Sequence, residues 1–87
     1  MKIVFHKNFE RNFKKLSPKL REKASLAIEK FSRNPLNPVL KNHALTGKLS
    51  GRRAISFGGD ARIVFEEFDG YILVIILDIG THNQVYR

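Results

Sequence analysis

The stretch ARIVFEEFDGYILVIILDIG, residues 61–80, decides the fold. ARIVFEEF (61–68) is rich in β-branched and aromatic residues and reads as a strand. Asp69-Gly70 is a strong hairpin signal, because both residues tolerate the positive φ that a tight turn demands. YILVIILDI (71–79) is apolar on both faces, which predicts a strand inside the sheet. Upstream, RRAISF (52–57) joins through the turn GGD (58–60), giving three consecutive strands. The chain before them supplies the cover. KIVF (2–5) alternates, with Ile3 and Phe5 on one face, and predicts a short first strand. Phe9, Phe13 and Leu16 are spaced i, i+4, i+7 along a short helix. Ser17 and Pro18 are a cap and a first-turn residue for a second helix, which Asn34-Pro35 ends. Its apolar stripe is Leu20, Ala24, Ala27, Ile28 and Phe31. The order is β-α-α-β-β-β, an α+β fold with an N-terminal strand and a helical hairpin on one face of a small, mainly antiparallel sheet. The opposite face has fewer apolar residues to cover it, so polar positions of 52–68 open there. Residues 1–87 read as one domain.

Composition narrows the function. Of 87 residues, 43% are hydrophobic, enough for one modest core. The absence of cysteine excludes disulfides, thiolate nucleophiles and Cys-based metal sites. The longest apolar run, Ile72 to Leu77, is far short of the roughly 20 residues that span a bilayer. The expectation is a cytoplasmic protein without membrane contact. The net charge is +8 and uneven. Residues 1–35 carry ten basic and three acidic groups, residues 36–59 four basic and none acidic, and residues 60–87 two basic and five acidic. Such a field favours a polyanion or an acidic protein as partner.

No Gly-rich phosphate loop, HExxH or GxSxG is present. His6, His43 and His82 are too dispersed for a local metal motif, and neither metal nor cofactor is expected. His82 follows Gly80-Thr81, where the strand is expected to bend, and histidine moves protons near neutral pH. Tyr86 either stacks on a base or folds back over the sheet edge. Arg62 interrupts an apolar strand. Its planar fork suits phosphate, unless it pairs with Asp60, Glu66 or Asp78. Arg52 and Arg53 point to opposite faces, so one can face a ligand while the other is solvated. Asp60 either orients a histidine or caps the Gly58-Gly59 turn. His43, in the basic loop, serves in chemistry or as a side-chain cap.

HALTGKLSGRRAISFGGDARIVF (43–65) followed by DIGTHNQVY (78–86) resembles the RelE/ParE superfamily of toxins from toxin–antitoxin pairs, and is most similar to the YafQ-like messenger-RNA interferases. The pattern comprises His43, Leu45, Gly47, Gly51, Arg53, Asp60, Arg62, Gly80, Thr81, His82 and Tyr86. The resemblance implies a metal-independent endoribonuclease that cleaves messenger RNA, commonly in the ribosomal decoding site, by attack of a 2′-hydroxyl on the adjacent phosphate. It implies His82, Arg62, Asp60 and His43 as the catalytic set. Arg53, Tyr86, Lys48, Arg52 and Thr81 are assigned to substrate binding, with Arg53, Arg62, His82 and Tyr86 together on one concave basic surface. It also implies a cognate antitoxin, which an acidic ordering segment would suit, and no direct DNA binding by the toxin alone. Ser56 stands where such sequences often carry histidine, and Ala54 where they carry an acid. The second proton carrier then falls to His43 or Asp60. The alternatives are a gyrase-inhibiting ParE-like toxin, against which His82 argues, and a catalytically inactive binder of RNA or antitoxin.

Overall fold

The computed structural model describes residues 1–86. Strand β1 (Lys2–Phe5) leads into helices α1 (Lys7–Lys14) and α2 (Pro18–Arg33). A 3₁₀ turn (Pro38–Leu40), a two-residue strand β2 (His43–Ala44) and a second 3₁₀ turn (Gly47–Leu49) follow. Strands β3 (Arg53–Phe57), β4 (Ala61–Phe68) and β5 (Leu73–Thr81) come next, and a one-turn helix α3 (His82–Val85) ends the described chain. The five strands form one sheet in the order β1-β5-β4-β3-β2. All neighbours are antiparallel except β1 and β5, which are parallel. As its two-sided apolar sequence requires, β5 lies inside the sheet. Among the described residues, no helix is long and apolar enough to cross a membrane.

Local chemistry sets the helices. The His6 Nδ1 accepts the Asn8 N–H at 3.0 Å and caps α1, which gives one of the three histidines a structural role. Ser17 Oγ accepts the Leu20 N–H at 3.2 Å, and Pro18 opens α2 with an N–H it does not need. The stripes of both helices then close over one sheet face. Phe9, Ala24, Ala27 and Phe31 are buried against Ile55, Ile63, Phe65, Val74 and Ile76. Phe31 meets Phe65 edge-on, with ring centroids 4.8 Å apart. This face is the main core. The other face carries only a small cluster, in which Leu45, Leu77 and Tyr86 pack on buried Ala54, Val64 and Val85.

Two irregularities shape the far end of β5. The Asp69-Gly70 turn is longer than a two-residue loop. Asp69, Gly70 and Tyr71 all have positive φ, and β5 starts at Leu73 rather than residue 71. A bulge then shifts the β4–β5 register, so that Val64 faces Asp78 while Phe65 faces Ile76. Such an extra residue bends and twists its strand. Here it turns the Asp78 carboxylate to the Asn12 side chain of α1, whose Nδ2 donates at 2.7 Å. It also sets Gly80 opposite Arg62 and Thr81 opposite Ala61.

Candidate functional site

The sheet face without helices is built by strand alternation. Ile55 and Phe57 point into the main core, so Ala54 and Ser56 point the other way. Register extends this second face sideways: His43 is opposite Ala54, and Arg62 is opposite both Ser56 and Gly80. His43 and Arg62, 19 residues apart in sequence, therefore reach the same side of the sheet.

The chain does not bend at Gly80-Thr81 as the sequence suggests. Strand β5 continues through Thr81, and α3 starts at His82. The turn is made by a capping box. Thr81 Oγ1 accepts the Gln84 N–H at 3.3 Å, and Gln84 Oε1 accepts the Thr81 N–H at 2.9 Å. The His82 N–H is held by the Asp60 carbonyl at 2.9 Å. One helical turn on, the Tyr86 ring meets the His82 imidazole edge to face, with centroids 4.4 Å apart. The imidazole itself is exposed.

Gly80 is what lets α3 sit here. A Cβ at this position would fall 2.7 Å from Gln84 Oε1 and 3.2 Å from Gln84 Cβ. Gly80→Ala is expected to force Gln84 out of the capping box, at a cost of about 1–2 kcal/mol. Chemical denaturation should show the loss. Amide exchange should show Thr81 and Gln84 losing protection while the β4 amides keep theirs. Unchanged protection at both residues would show that the box tolerates the methyl.

Tyr86 packs over Ala54 and Val64, and its Oη is shut off from solvent with no hydrogen-bond partner among the described residues. Burial raises the phenol's pKa, and the nearby positive charge of Arg62 offsets this in part. Arg62 acts on it through proximity, since no hydrogen bond joins the two. The Tyr86 hydroxyl is thus neutral at any working pH, a donor and acceptor without a mate. Arg62 donates from Nη1 to the carbonyls of Gly59 (2.7 Å) and Ala61 (2.9 Å). These bonds anchor the guanidinium by one corner. Its Nη2 and Nε meet no acceptor, and no carboxylate pairs with it, among the described residues.

Beside Tyr86 lies a cavity of about 430 Å³, whose lining includes His43, Leu45, Thr46, Lys48 and Leu49. His43 Nδ1 is 2.9 Å from the Lys41 carbonyl. A carbonyl only accepts, so Nδ1 carries the proton and Nε2 of the neutral ring is the free acceptor. The loop keeps its shape through Gly47 and Gly51, at φ of +66° and +93°, which side chains rarely adopt.

His82, Arg62, Tyr86, His43 and Lys48 therefore share one basic surface. Three expected members take other positions. Arg53 has the parity of Ile55 and Phe57 and so faces the helix side, where its Nε donates to Asn42 Oδ1 at 2.8 Å. Asn42 in turn bonds the Pro35 carbonyl and the Tyr71 hydroxyl, which makes Arg53 a strut for the connection into β2. The expected grouping of Arg53 with Arg62 and His82 does not form. Arg52 is exposed just before β3 and borders a shallow depression with Arg53 and Glu67, apart from the cavity. Thr81 spends its hydroxyl on the cap. Asp60 holds His82 by its backbone carbonyl, not by its exposed carboxylate. Sequence reasoning missed Thr46 in the cavity wall and Gln84 in the cap. The T-x-x-Q spacing of Thr81 and Gln84 was the available signal for the second.

A basic open sheet face with a histidine mounted on the terminal helical turn defines a small α+β protein suited to an anionic ligand. Comparison with known proteins then gives the family. The model for the bacterial toxin of type II toxin–antitoxin systems, YafQ, matches residues 1–87, and the chain belongs to that family. Among solved structures, YafQ from E. coli strain BL21(DE3) superposes with a TM-score of 0.75 at 20% identity, covering 98% of this chain and 97% of that one. The RelBE2 toxin–antitoxin complex from Mycobacterium tuberculosis gives 0.73 at 25% identity, with 92% and 95% covered. The E. coli DinJ–YafQ complex gives 0.70 at 20% identity, with 98% and 97% covered. No curated protein sequence matches the chain.

Proposed function

We propose that this toxin is an endoribonuclease that cuts single-stranded messenger RNA without a metal ion. The observation that carries the reading is the meeting of a free histidine, a half-satisfied arginine and a second histidine with a fixed tautomer around Tyr86. Transesterification needs those three functions. The RNA 2′-oxygen attacks the adjacent phosphorus, its P–O bond forms, and the bond to the 5′-oxygen breaks, leaving a 2′,3′-cyclic phosphate. His43 Nε2 takes the 2′-hydroxyl proton, and His82 as imidazolium gives a proton to the departing 5′-oxygen. Arg62 holds the phosphorane oxygens with Nη2 and Nε. Of the two candidates for the second proton carrier, His43 is favoured over Asp60 because it lines the cavity beside Tyr86.

The same reading gives the protein a cognate antitoxin. Two of the similar solved structures are toxin–antitoxin complexes, DinJ–YafQ and RelBE2. The +8 charge would draw in an acidic segment over a long range. The ribosomal decoding site is the proposed setting for cleavage.

The test is cleavage of a defined messenger RNA by purified protein, with and without ribosomes, in excess chelator. The expected result is cutting that continues, cyclic-phosphate ends, and no cutting where the attacking sugar is 2′-deoxy. Cleavage of the deoxy substrate or its loss on chelation would refute the scheme. Intact RNA with inhibited DNA supercoiling would point to gyrase as target.

A further inference from the structure

The cavity beside Tyr86 has more to it than the chemistry uses. Two of its walls are apolar, made by Leu45 and Leu49 facing the aromatic ring. Thr46 occupies the N-cap position of the Gly47–Leu49 turn, yet its hydroxyl makes no capping bond. A threonine there ordinarily accepts a backbone N–H. The Tyr86 hydroxyl is likewise without a partner, and buried. Two groups that both donate and accept are thus left unclaimed on the wall of one cavity, and leaving them so is costly. The exposed Lys48 ammonium is also in the lining, and the lining holds no carboxylate. Apolar walls with a few convergent polar groups are the signature of a site for a discrete ligand.

We propose that this cavity is a nucleobase subsite. It receives the base of one nucleotide flanking the scissile phosphate and selects among bases. The proposal rests on the RNA-cleaving reading above and adds to it the element that decides sequence preference. The base lies between the Tyr86 ring and the side chains of Leu45 and Leu49, where any base gains from stacking and burial. Thr46 Oγ1 and Tyr86 Oη meet the hydrogen-bonding edge of the base, where the four bases differ. Lys48 faces the phosphate of the same nucleotide. The site belongs to single-stranded RNA, because a paired base would have both its edge and its faces occupied. His82, edge-on to Tyr86, ties the filling of this cavity to the reacting phosphate.

The experiment separates binding from cutting. Four short single-stranded RNAs differ only in the base beside the cleavage position, and each carries a 2′-deoxy sugar there so that none is cut. Their affinities are measured by NMR titration for the wild type, Thr46→Val, Tyr86→Phe and Leu49→Glu, with far-UV circular dichroism confirming each fold. The wild type is expected to spread the four affinities about tenfold, as one or two hydrogen bonds allow. Thr46→Val and Tyr86→Phe should each shrink that spread to about threefold or less, and Leu49→Glu should weaken all four RNAs about tenfold. A spread unchanged in Thr46→Val and Tyr86→Phe, or no shifts at Leu45, Leu49 and Tyr86 on binding, overturns the subsite. Cleavage of ordinary RNA is run alongside. Base-selective binding without cleavage keeps the subsite and removes the nuclease reading. Cleavage whose base preference ignores Thr46 and Tyr86 keeps the nuclease and removes the subsite.

Discussion

His82→Ala should lower the rate of RNA cleavage by about 10²–10⁴-fold while leaving the protein folded. The size follows from the proposed task. An alkoxide leaving group is expelled far more slowly than an alcohol, and proton donation in the transition state is the whole contribution assigned to this ring. The fold should be spared because the imidazole is exposed and makes no side-chain hydrogen bond; its packing partner is Tyr86. The element's position is fixed by main-chain groups, the His82 N–H on the Asp60 carbonyl and the Thr81–Gln84 box. The stability change should therefore stay within about 0.5 kcal/mol, as at surface positions generally. Growth after induction reads the same effect in cells, where the variant should relieve toxicity. A His82→Ala protein as toxic and as active as the wild type would remove His82 from the chemistry altogether.

Arg62→Ala should cost about 10²–10³-fold in cleavage rate, the usual loss on removing a preorganised donor to developing charge. Preorganisation is the decisive word. Two backbone carbonyls grip one nitrogen, so the remaining donors point outward without a further loss of side-chain freedom. Lysine cannot copy this, because a single ammonium would be consumed by the same carbonyls. Arg62→Lys is therefore expected to recover little of the rate, and the effect should fall mainly on kcat rather than KM. A Lys variant near wild-type activity would reduce the role of Arg62 to simple charge.

How much of this was legible depends on the kind of signal. The helices and strands β1 and β4 follow from periodicity, and their boundaries agree with the structure closely. Strand β2 has two residues and hence no period to read. The start of β5 was misplaced because Tyr71 joins the turn with a positive φ, which its own chemistry does not suggest. The bulge at Val64/Phe65 left no trace in a run of uniformly apolar residues, although it aims Asp78 at α1 and Gly80 at α3. Alternation put Arg52 and Arg53 on opposite faces but did not say which was which. The parity of Ile55 and Phe57 contained the answer, since both had to join the core. The gathering of His43 with Tyr86 depends on register between distant strands, which no local pattern encodes.

The parallel pairing of β1 with β5 carries a consequence for how the protein comes into being. Lys2 finds Leu73 as its neighbour, so the first strand waits for a partner made about 70 residues later. At translation speeds of about 5–20 residues per second, that delay lasts several seconds. Closing so long a loop is entropically slow, and non-local strand pairing lengthens folding times. Until β5 emerges, α1 and β1 have nothing to lie against, and the surface that holds His82 does not exist. A nascent chain of this toxin is harmless to the ribosome that makes it; its danger begins with its last strand.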